Sequence, residues 1–245
     1  MKMNLKPAYR YQFMSLLKGT AVFYLIMIVI VTAFLAVTIN FGGSSSMTFG
    51  GYAFAAAVYL FVAGIVYIRS DLRLCLQFGV SRRTAFLSEI LSFLSISAIL
   101  AVAGELVTAL VRVAASGNPN IFVLDFYQIV YLGAEKVLPS FGHQAMSFLT
   151  NVAMFFCACT VGAFFSLMFW RLNKFWTIVV AISIPFAING LPYLLIKLGV
   201  DFSRFFAWIA SSPFCFILTC LVIAAAAVVI DWLLLRRANI KAAKN

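Results

Sequence analysis

Charged residues are scarce in this sequence: they make up 10% of the 245 residues, whereas soluble domains average about 25%. Hydrophobic residues make up 64%, and the mean hydropathy is +1.07. This balance excludes an ordinary soluble domain and indicates an integral membrane protein. The apolar residues form long runs instead of short alternating segments, so the sequence favours membrane-spanning helices over a β-barrel.

Signals for catalysis and metal binding are also few. The chain has one histidine, His143, and seven acidic residues, and it has no P-loop, no G-x-S-x-G motif and no H-E-x-x-H motif. Four of the five cysteines lie in apolar runs, and their spacing matches no closed metal site: Cys75, Cys157, Cys159, Cys215 and Cys220. We therefore expect the cysteines to act as small hydrophobic residues, and we expect no enzyme activity and no metal or cofactor in this chain.

Six apolar runs are long enough for membrane-spanning helices, which need about 20 residues each. They cover residues 21–39, 52–68, 85–111, 147–169, 175–196 and 213–235. The sequence thus predicts an all-α polytopic membrane protein with a single transmembrane domain over residues 1–245. Two longer connections, 112–146 and 190–212, are expected to form outer excursions that contain short helices.

Basic residues are distributed unevenly between the two sides that six spans define. Fourteen of the eighteen lysines and arginines fall at the two termini, after the second span or after the fourth span. The other side carries Arg112, Lys136, Lys197 and Arg204. Because cytoplasmic segments carry the excess of lysine and arginine, both termini are predicted to be cytoplasmic. The net charge of +11 is therefore an orientation signal, and we expect no nucleic-acid partner.

Residues 1–18 combine an apolar helical face with a basic stripe. The apolar face contains Leu5, Tyr9, Phe13, Leu16 and Leu17, and the stripe contains Lys2, Lys6, Arg10 and Lys18. This pattern predicts a helix in the membrane interface, with aromatic rings among the headgroups and cations near anionic lipid. The alternative is the start of a signal peptide. The run 21–39 is long for such a peptide, which favours an uncleaved first span.

Residues 69–83, which we call the basic turn, form the main polar interruption in the first half of the chain. Asp71 to Phe78 is predicted to form a short helix that ends at Gly79, because glycine accepts the left-handed backbone at little cost. Ser81 is predicted to be the N-cap of the next helix. A folded basic turn between two spans indicates a docking surface, with candidate residues Asp71, Leu72, Arg73, Leu76, Phe78, Gly79, Arg82 and Arg83.

Three acidic residues lie within or beside the spans. Glu89 is expected to pair with Arg82 or Arg83, and Asp231 with Arg236 or an interfacial lysine. For Glu105 two interpretations stay open, namely a pathway residue or a structural partner of Arg112.

The fifth span is irregular, because Pro185, Asn189, Gly190 and Pro192 fall within eight residues. Such a segment must kink or unwind, and irregular backbone persists at membrane depth only inside protein or beside water. Pro185, Asn189 and Pro192 are therefore pathway or gate candidates, together with Glu89 and Glu105. Small residues at 53–57 and 224–227 indicate close helix packing, either within the chain or at a dimer seam.

The segment LRLCLQFGVSRRTAFLSEIL (72–91), together with the basic N-terminal helix and six spans, resembles permease subunits of bacterial ABC type-2 transporters. It is similar in particular to small Gram-positive exporters of cytolytic peptides, of the phenol-soluble-modulin type, and of bacteriocins. The resemblance implies that residues 1–18 are an elbow helix and that 69–83 form a coupling helix. In that arrangement Arg73, Arg82 and Arg83 are charged contacts, and Leu72, Leu76 and Phe78 form an apolar ridge.

The resemblance also implies the partners of the chain. Two permease chains, identical or different, would form the pathway, and two separate ATPase subunits would bind ATP and Mg²⁺ beneath them in the plasma membrane of a bacterium. The expected cargo is an amphipathic or hydrophobic peptide, in export or self-protection. The alternative is a non-transporting membrane anchor, or an assembly or sensor subunit, that binds a cytoplasmic partner through the same turn.

Overall fold

Five helices in the described part of the chain are long and apolar enough to cross a membrane, which indicates a multi-pass membrane protein. The computed structural model describes residues 5–41, 47–115, 121–133, 140–172, 179, 197 and 202–236. In chain order the elements are α1 (Leu5–Phe41), β1 (Met47–Phe49), α2 (Tyr52–Gln77), α3 (Arg82–Ala115), β2 (Ile121–Val123), α4 (Phe126–Tyr131), α5 (Phe141–Arg171), α6 (Phe202–Ser211) and α7 (Pro213–Arg236).

Five of the six predicted spans are confirmed as parts of long helices. Residues 21–39, 52–68, 85–111, 147–169 and 213–235 lie in α1, α2, α3, α5 and α7, respectively. The remaining predicted span, 175–196, lies outside the described residues except for Val179. The gate candidates Pro185, Asn189 and Pro192 lie outside them as well.

Two predicted breaks are absent, because the helices run through them. α1 continues from Leu5 to Phe41, so no interruption separates the predicted interfacial helix from the first span. α2 continues to Gln77, so the predicted separate helix from Asp71 to Phe78 is wrong. The reason in α2 is that Asp71 and Leu72 are buried: the packed face of the helix extends through the basic turn.

The centre of the bundle is the contact between α2 and α5. A methyl group on Gly64 would overlap the carbonyl oxygen of Cys159, and one on Gly162 would overlap the carbonyl oxygen of Phe61. Each glycine therefore lets the other helix approach its backbone. Ala53 and Ala56 of the predicted small face are also buried within this chain, which supports intrachain packing there.

The connections at one end of the bundle are joined by a strand pair that the sequence did not predict. β1 pairs in parallel with β2, with Met47 opposite Ile121 and Phe49 opposite Val123. We call this end the outer end, and we call the end with the basic turn the inner end. The expected short outer helices are present as α4 and α6, and the Tyr131 hydroxyl of α4 donates to the Ile209 carbonyl of α6 at 3.2 Å.

Candidate functional site

The basic turn is a compact connection with every backbone bond of a Schellman motif. The Val80 N–H donates to the Cys75 carbonyl at 2.9 Å, and the Gly79 N–H donates to the Leu76 carbonyl at 3.1 Å. Gly79 has φ of 74°, as predicted for its left-handed role. Ser81 is confirmed as the N-cap of α3, because its Oγ accepts the Thr84 N–H at 3.2 Å. The turn is therefore a fixed local structure.

The predicted docking residues of the basic turn divide into exposed and buried groups. Arg73, Gly79 and Arg83 are exposed, Leu76 is half-buried, and Phe78 is 78% exposed. An exposed aromatic ring in the same segment as two exposed arginines is typical of an interface. Asp71 and Leu72, in contrast, are buried and are not available to a partner at this surface.

Two arginines of the basic turn are bound to the helices around it. Arg82 donates to the carbonyl oxygens of Leu235 and Arg236 at 3.4 and 3.3 Å, which satisfies the last turn of α7. Arg69 donates twice to the Ser166 carbonyl of α5, at 3.2 and 3.0 Å. These contacts give Arg82 and Arg69 a structural role, although Arg69 is also exposed, and they make Arg73 and Arg83 the candidate contact cations of the turn.

Two buried carboxyl groups face each other just above the basic turn. Gln12 of α1 donates to the Ala85 carbonyl at 3.2 Å and contacts the Cys75 sulfur at 3.7 Å, so Cys75 and Ala85 lie at one level of the α2–α3 hairpin. One helical turn further, the same antiparallel pairing brings Asp71 opposite Glu89. Glu89 is fully buried, and Asp71 is 1% exposed.

The predicted ion pairs of these acids are not formed. Both carboxyl oxygens of Glu89 and both of Asp231 lack a hydrogen-bond partner in the described part of the chain, and so does Oδ2 of Asp71. Glu89 therefore does not pair with Arg82 or Arg83, and Asp231 does not pair with Arg236. The reason is that Arg82 binds main-chain carbonyls of α7 and that Arg83 and Arg236 are exposed, whereas the acids are buried in the bundle.

The outer end carries a second polar cluster, which the sequence did not predict as a unit. Ser147 of α5 donates to Glu105 Oε1 at 2.6 Å and also contacts Asp125 Oδ2. Asn151 Nδ2 lies 3.4 Å from the same Glu105 oxygen. Arg112 donates to Gln128 Oε1 at 3.4 Å and lines the same small cleft. Glu105 is thus bound by Ser147 and Asn151, with Arg112 at the edge of its surroundings.

Asp125 holds this cluster at the start of α4. Its Oδ1 accepts the Phe126 N–H at 2.8 Å, and Gln128 Oε1 accepts the Asp125 N–H at 3.1 Å, which completes a capping box. Burial raises the pKa of the Asp125 carboxyl, and this effect exceeds the opposing effects of the Phe126 N–H and of Arg112.

The residues of the predicted interfacial helix divide into an exposed group and a half-buried group. Lys6 and Arg10 are exposed, whereas Tyr9 and Phe13 are half-buried and stack with their ring centroids 5.6 Å apart. The Tyr9 hydroxyl lies 2.9 Å from Ser95 Oγ of α3. The buried stripe beside them, which includes Gln12, was missed because a lone glutamine in a polar segment gives no signal of burial.

Within the described residues, no group of three or more His, Cys, Asp or Glu side chains could hold a metal ion. Comparison with protein-family models, with curated proteins and with solved structures gives no match to this chain. The functional argument therefore rests on the geometry of the basic turn and of the buried carboxyl groups.

Proposed function

We propose that this chain is the transmembrane permease subunit of an ATP-driven exporter of the ABC type-2 class. The observation that carries the proposal is the basic turn, in which the end of α2, the loop after it and the start of α3 leave Arg73, Phe78 and Arg83 exposed. A separate cytoplasmic ATPase would bind this surface and would supply the ATP and Mg²⁺ sites. Movement of the turn would pass directly to α2 and α3, since the turn is continuous with both helices.

The directions of α5 and α7 support six spans. Ser147 lies near the outer end of α5 and Ser166 near its inner end, next to Arg69. Phe216 of α7 lies beside Phe126 of the outer end, with ring centroids 5.5 Å apart, and Leu235 reaches Arg82 at the inner end. Both helices run from outer to inner.

Because α5 and α7 are successive candidate spans that run in the same direction, the chain must return to the outer end between them. Residues 173–201 connect the inner end of α5 to the outer start of α6, and this length exceeds the roughly 20 residues that a spanning helix needs. This supports the predicted span 175–196 and, with the excess of basic residues at the inner end, two cytoplasmic termini in a bacterial plasma membrane.

The first turns of α1 support an interfacial elbow. Gln12 accepts a hydrogen bond from Ser88, whereas Tyr9 reaches Ser95, about 10 Å further toward the outer end at 1.5 Å per residue. A helix running parallel to α3 through these residues would place Tyr9 on the inner side of Gln12. The contacts favour a first segment that crosses α3, with Lys6 and Arg10 directed to lipid headgroups.

The apolar lining of a hollow in the outer half of the bundle supports an apolar cargo. Side chains of α1 and α3 line an apolar hollow of about 330 Å³: Ile28, Val31, Thr32, Leu35, Val107, Leu110, Val111 and Ala114. Amphipathic peptides can enter such a surface with their apolar face. A second permease chain would complete the pathway, and exposed apolar residues of α1 and α7 are available to it or to lipid.

Photo-crosslinking tests the proposed docking directly. A photoreactive phenylalanine analogue at position 78 is expected to crosslink an ATPase subunit in membranes of the native host. The matched control places the same analogue at Leu218, an exposed apolar position of α7, where no ATPase adduct is expected. A kinase, sortase or other protein captured at position 78, with no ATPase, would favour the anchor alternative.

A further inference from the structure

The outer cluster lacks one hydrogen. Ser147 has a single hydroxyl hydrogen, yet its Oγ contacts Glu105 Oε1 and Asp125 Oδ2, two carboxyl oxygens that act only as acceptors when both groups are ionised. One of the two contacts must then bring two oxygens together with no hydrogen between them. A proton on either carboxyl removes this conflict, because that carboxyl can donate to Ser147 while Ser147 donates to the other.

Asn151 does not supply the missing hydrogen. The side chain is 5% exposed, and its Nδ2 lies 3.4 Å from Glu105 Oε1 and 3.5 Å from Ser147 Oγ. The amide therefore donates to the Glu105 and Ser147 oxygens and leaves the contact between Ser147 Oγ and Asp125 Oδ2 without a hydrogen.

Charge balance agrees with a single proton. The titratable and charged groups around the two carboxyls are Arg112 on α3, Tyr127 on α4 and His143 on α5, all of which line the same cleft. Two ionised carboxylates beside the Arg112 cation would leave a net charge of −1 in a partly buried site. One proton brings this charge to zero, whereas a divalent metal ion would make it positive.

We propose that Glu105 and Asp125 share one proton through the Ser147 hydroxyl, and that this cluster is a proton-binding site at the outer end of the bundle. When the proton is bound, the protonated carboxyl donates a hydrogen bond to the Ser147 hydroxyl, and this hydroxyl donates to the other, ionised carboxylate. On release, the proton is transferred to water at the open side of the cleft. The site joins α3, the start of α4 and α5. Loss of the proton places two carboxylates against one hydroxyl and weakens that junction.

The direction of the pH effect follows from Asp125. Its pKa is raised above the ordinary 3.8 by burial, so the folded protein holds the proton more tightly than the unfolded chain does. The stabilisation is fully present below the ordinary pKa and is lost as the pH rises through the raised value. The folded protein should therefore become less stable as the outer medium becomes less acidic over this interval.

Thermal unfolding of the full chain in detergent, measured over a pH series, tests the site. In the wild type the midpoint is expected to fall as the pH rises through this interval. Asp125→Asn and Glu105→Gln each carry a permanent N–H donor in place of the proton, so either variant should show a smaller fall than the wild type. The other buried carboxyls, Asp71, Glu89 and Asp231, are unchanged in both variants. Asn also remains a good N-cap for α4, and the two variants substitute for each other if one does not fold. His143→Gln is the control and should keep the fall, because this histidine is outside the hydrogen-bonded chain.

Three results would overturn the proposal. The first is a wild-type midpoint that does not change with pH, and the second is a fall that is as large in both carboxamide variants as in the wild type. The third comes from a series at constant pH and ionic strength, in which sodium chloride or calcium chloride replaces choline chloride. If either metal salt raises the wild-type midpoint and not that of Asp125→Asn, a metal ion and not a proton occupies the cluster.

Discussion

The guanidinium of Arg82 donates to the main-chain carbonyl of Leu235 at 3.4 Å, which connects the basic turn to the last turn of α7. Position 82 therefore differs from position 83, although both are arginines of the same segment. Arg83 is exposed, and Arg82 is half-buried against α7. A test of docking must separate these two residues, since a change at Arg82 alters the bundle itself.

Arg82→Gln is expected to lower the free energy of unfolding by about 1 kcal/mol. Hydrogen bonds to charged groups contribute about 1.5–3 kcal/mol, and partial exposure reduces this value. Arg83→Gln is the matched control and is expected to leave stability unchanged. Thermal unfolding of both variants in one detergent measures the difference. Equal midpoints for the two variants would show that the contact with α7 contributes nothing to stability.

Gly162→Val is expected to destabilise the bundle strongly. The valine side chain would overlap the Phe61 carbonyl where α2 and α5 pack backbone to backbone. Relief of this overlap would require a shift of the helix backbone. Forced expansion of a packed interior costs about 1–3 kcal/mol or more. Gly142→Val is the control, because a Cβ at that position meets no atom within 4 Å.

The measurement for this pair is the yield of monodisperse protein together with the thermal midpoint. A Gly162→Val variant as stable as Gly142→Val would contradict the proposed close contact of α2 and α5.

Glu89→Leu is expected to keep or raise the stability of the chain. The Glu89 carboxyl is fully buried without a hydrogen-bond partner in the described residues, and it lies opposite Asp71. An apolar side chain of similar size removes the cost of burying an unpartnered polar group. Chemical or thermal unfolding in detergent at neutral pH measures the effect.

A loss of several kcal/mol in Glu89→Leu would show that a buried partner of the carboxyl exists in the protein. Asp71→Leu, measured beside it, is expected to lose more stability than Glu89→Leu. The reason is that only one oxygen of Asp71 lacks a partner, while Ser70 contacts the other at 3.5 Å.

Local features of the fold were predictable from the sequence. Gly79 and Ser81 were placed correctly as the helix stop and the N-cap, because each acts on backbone groups within four residues of itself. The apolar runs identified five spanning helices for the same reason, since the length of a run is a local property.

Features that depend on distant contacts were not predictable. The sequence predicted a separate helix from Asp71 to Phe78, but α2 runs on to Gln77 because Asp71 and Leu72 lie on its buried face. The outer cluster joins Glu105, Asp125 and Ser147, which are up to 42 positions apart. Each residue alone has an ordinary interpretation, and only packing brings the three together.

Co-purification from the native host tests the central claim most directly. The tagged chain would be solubilised from host membranes, and the bound ATPase would be quantified for the wild type and for Arg73→Glu/Arg83→Glu. Lys6→Glu/Arg10→Glu is the matched control, since it makes the same change of charge at exposed positions away from the turn.

The account predicts that an ATPase subunit co-purifies with the wild type and with the Lys6→Glu/Arg10→Glu control. The Arg73→Glu/Arg83→Glu variant, with an unchanged unfolding midpoint, should retain about tenfold less, which corresponds to about 1.4 kcal/mol of binding free energy. An ATPase absent from the wild-type preparation, or recovered equally with both double variants, would contradict docking through the basic turn.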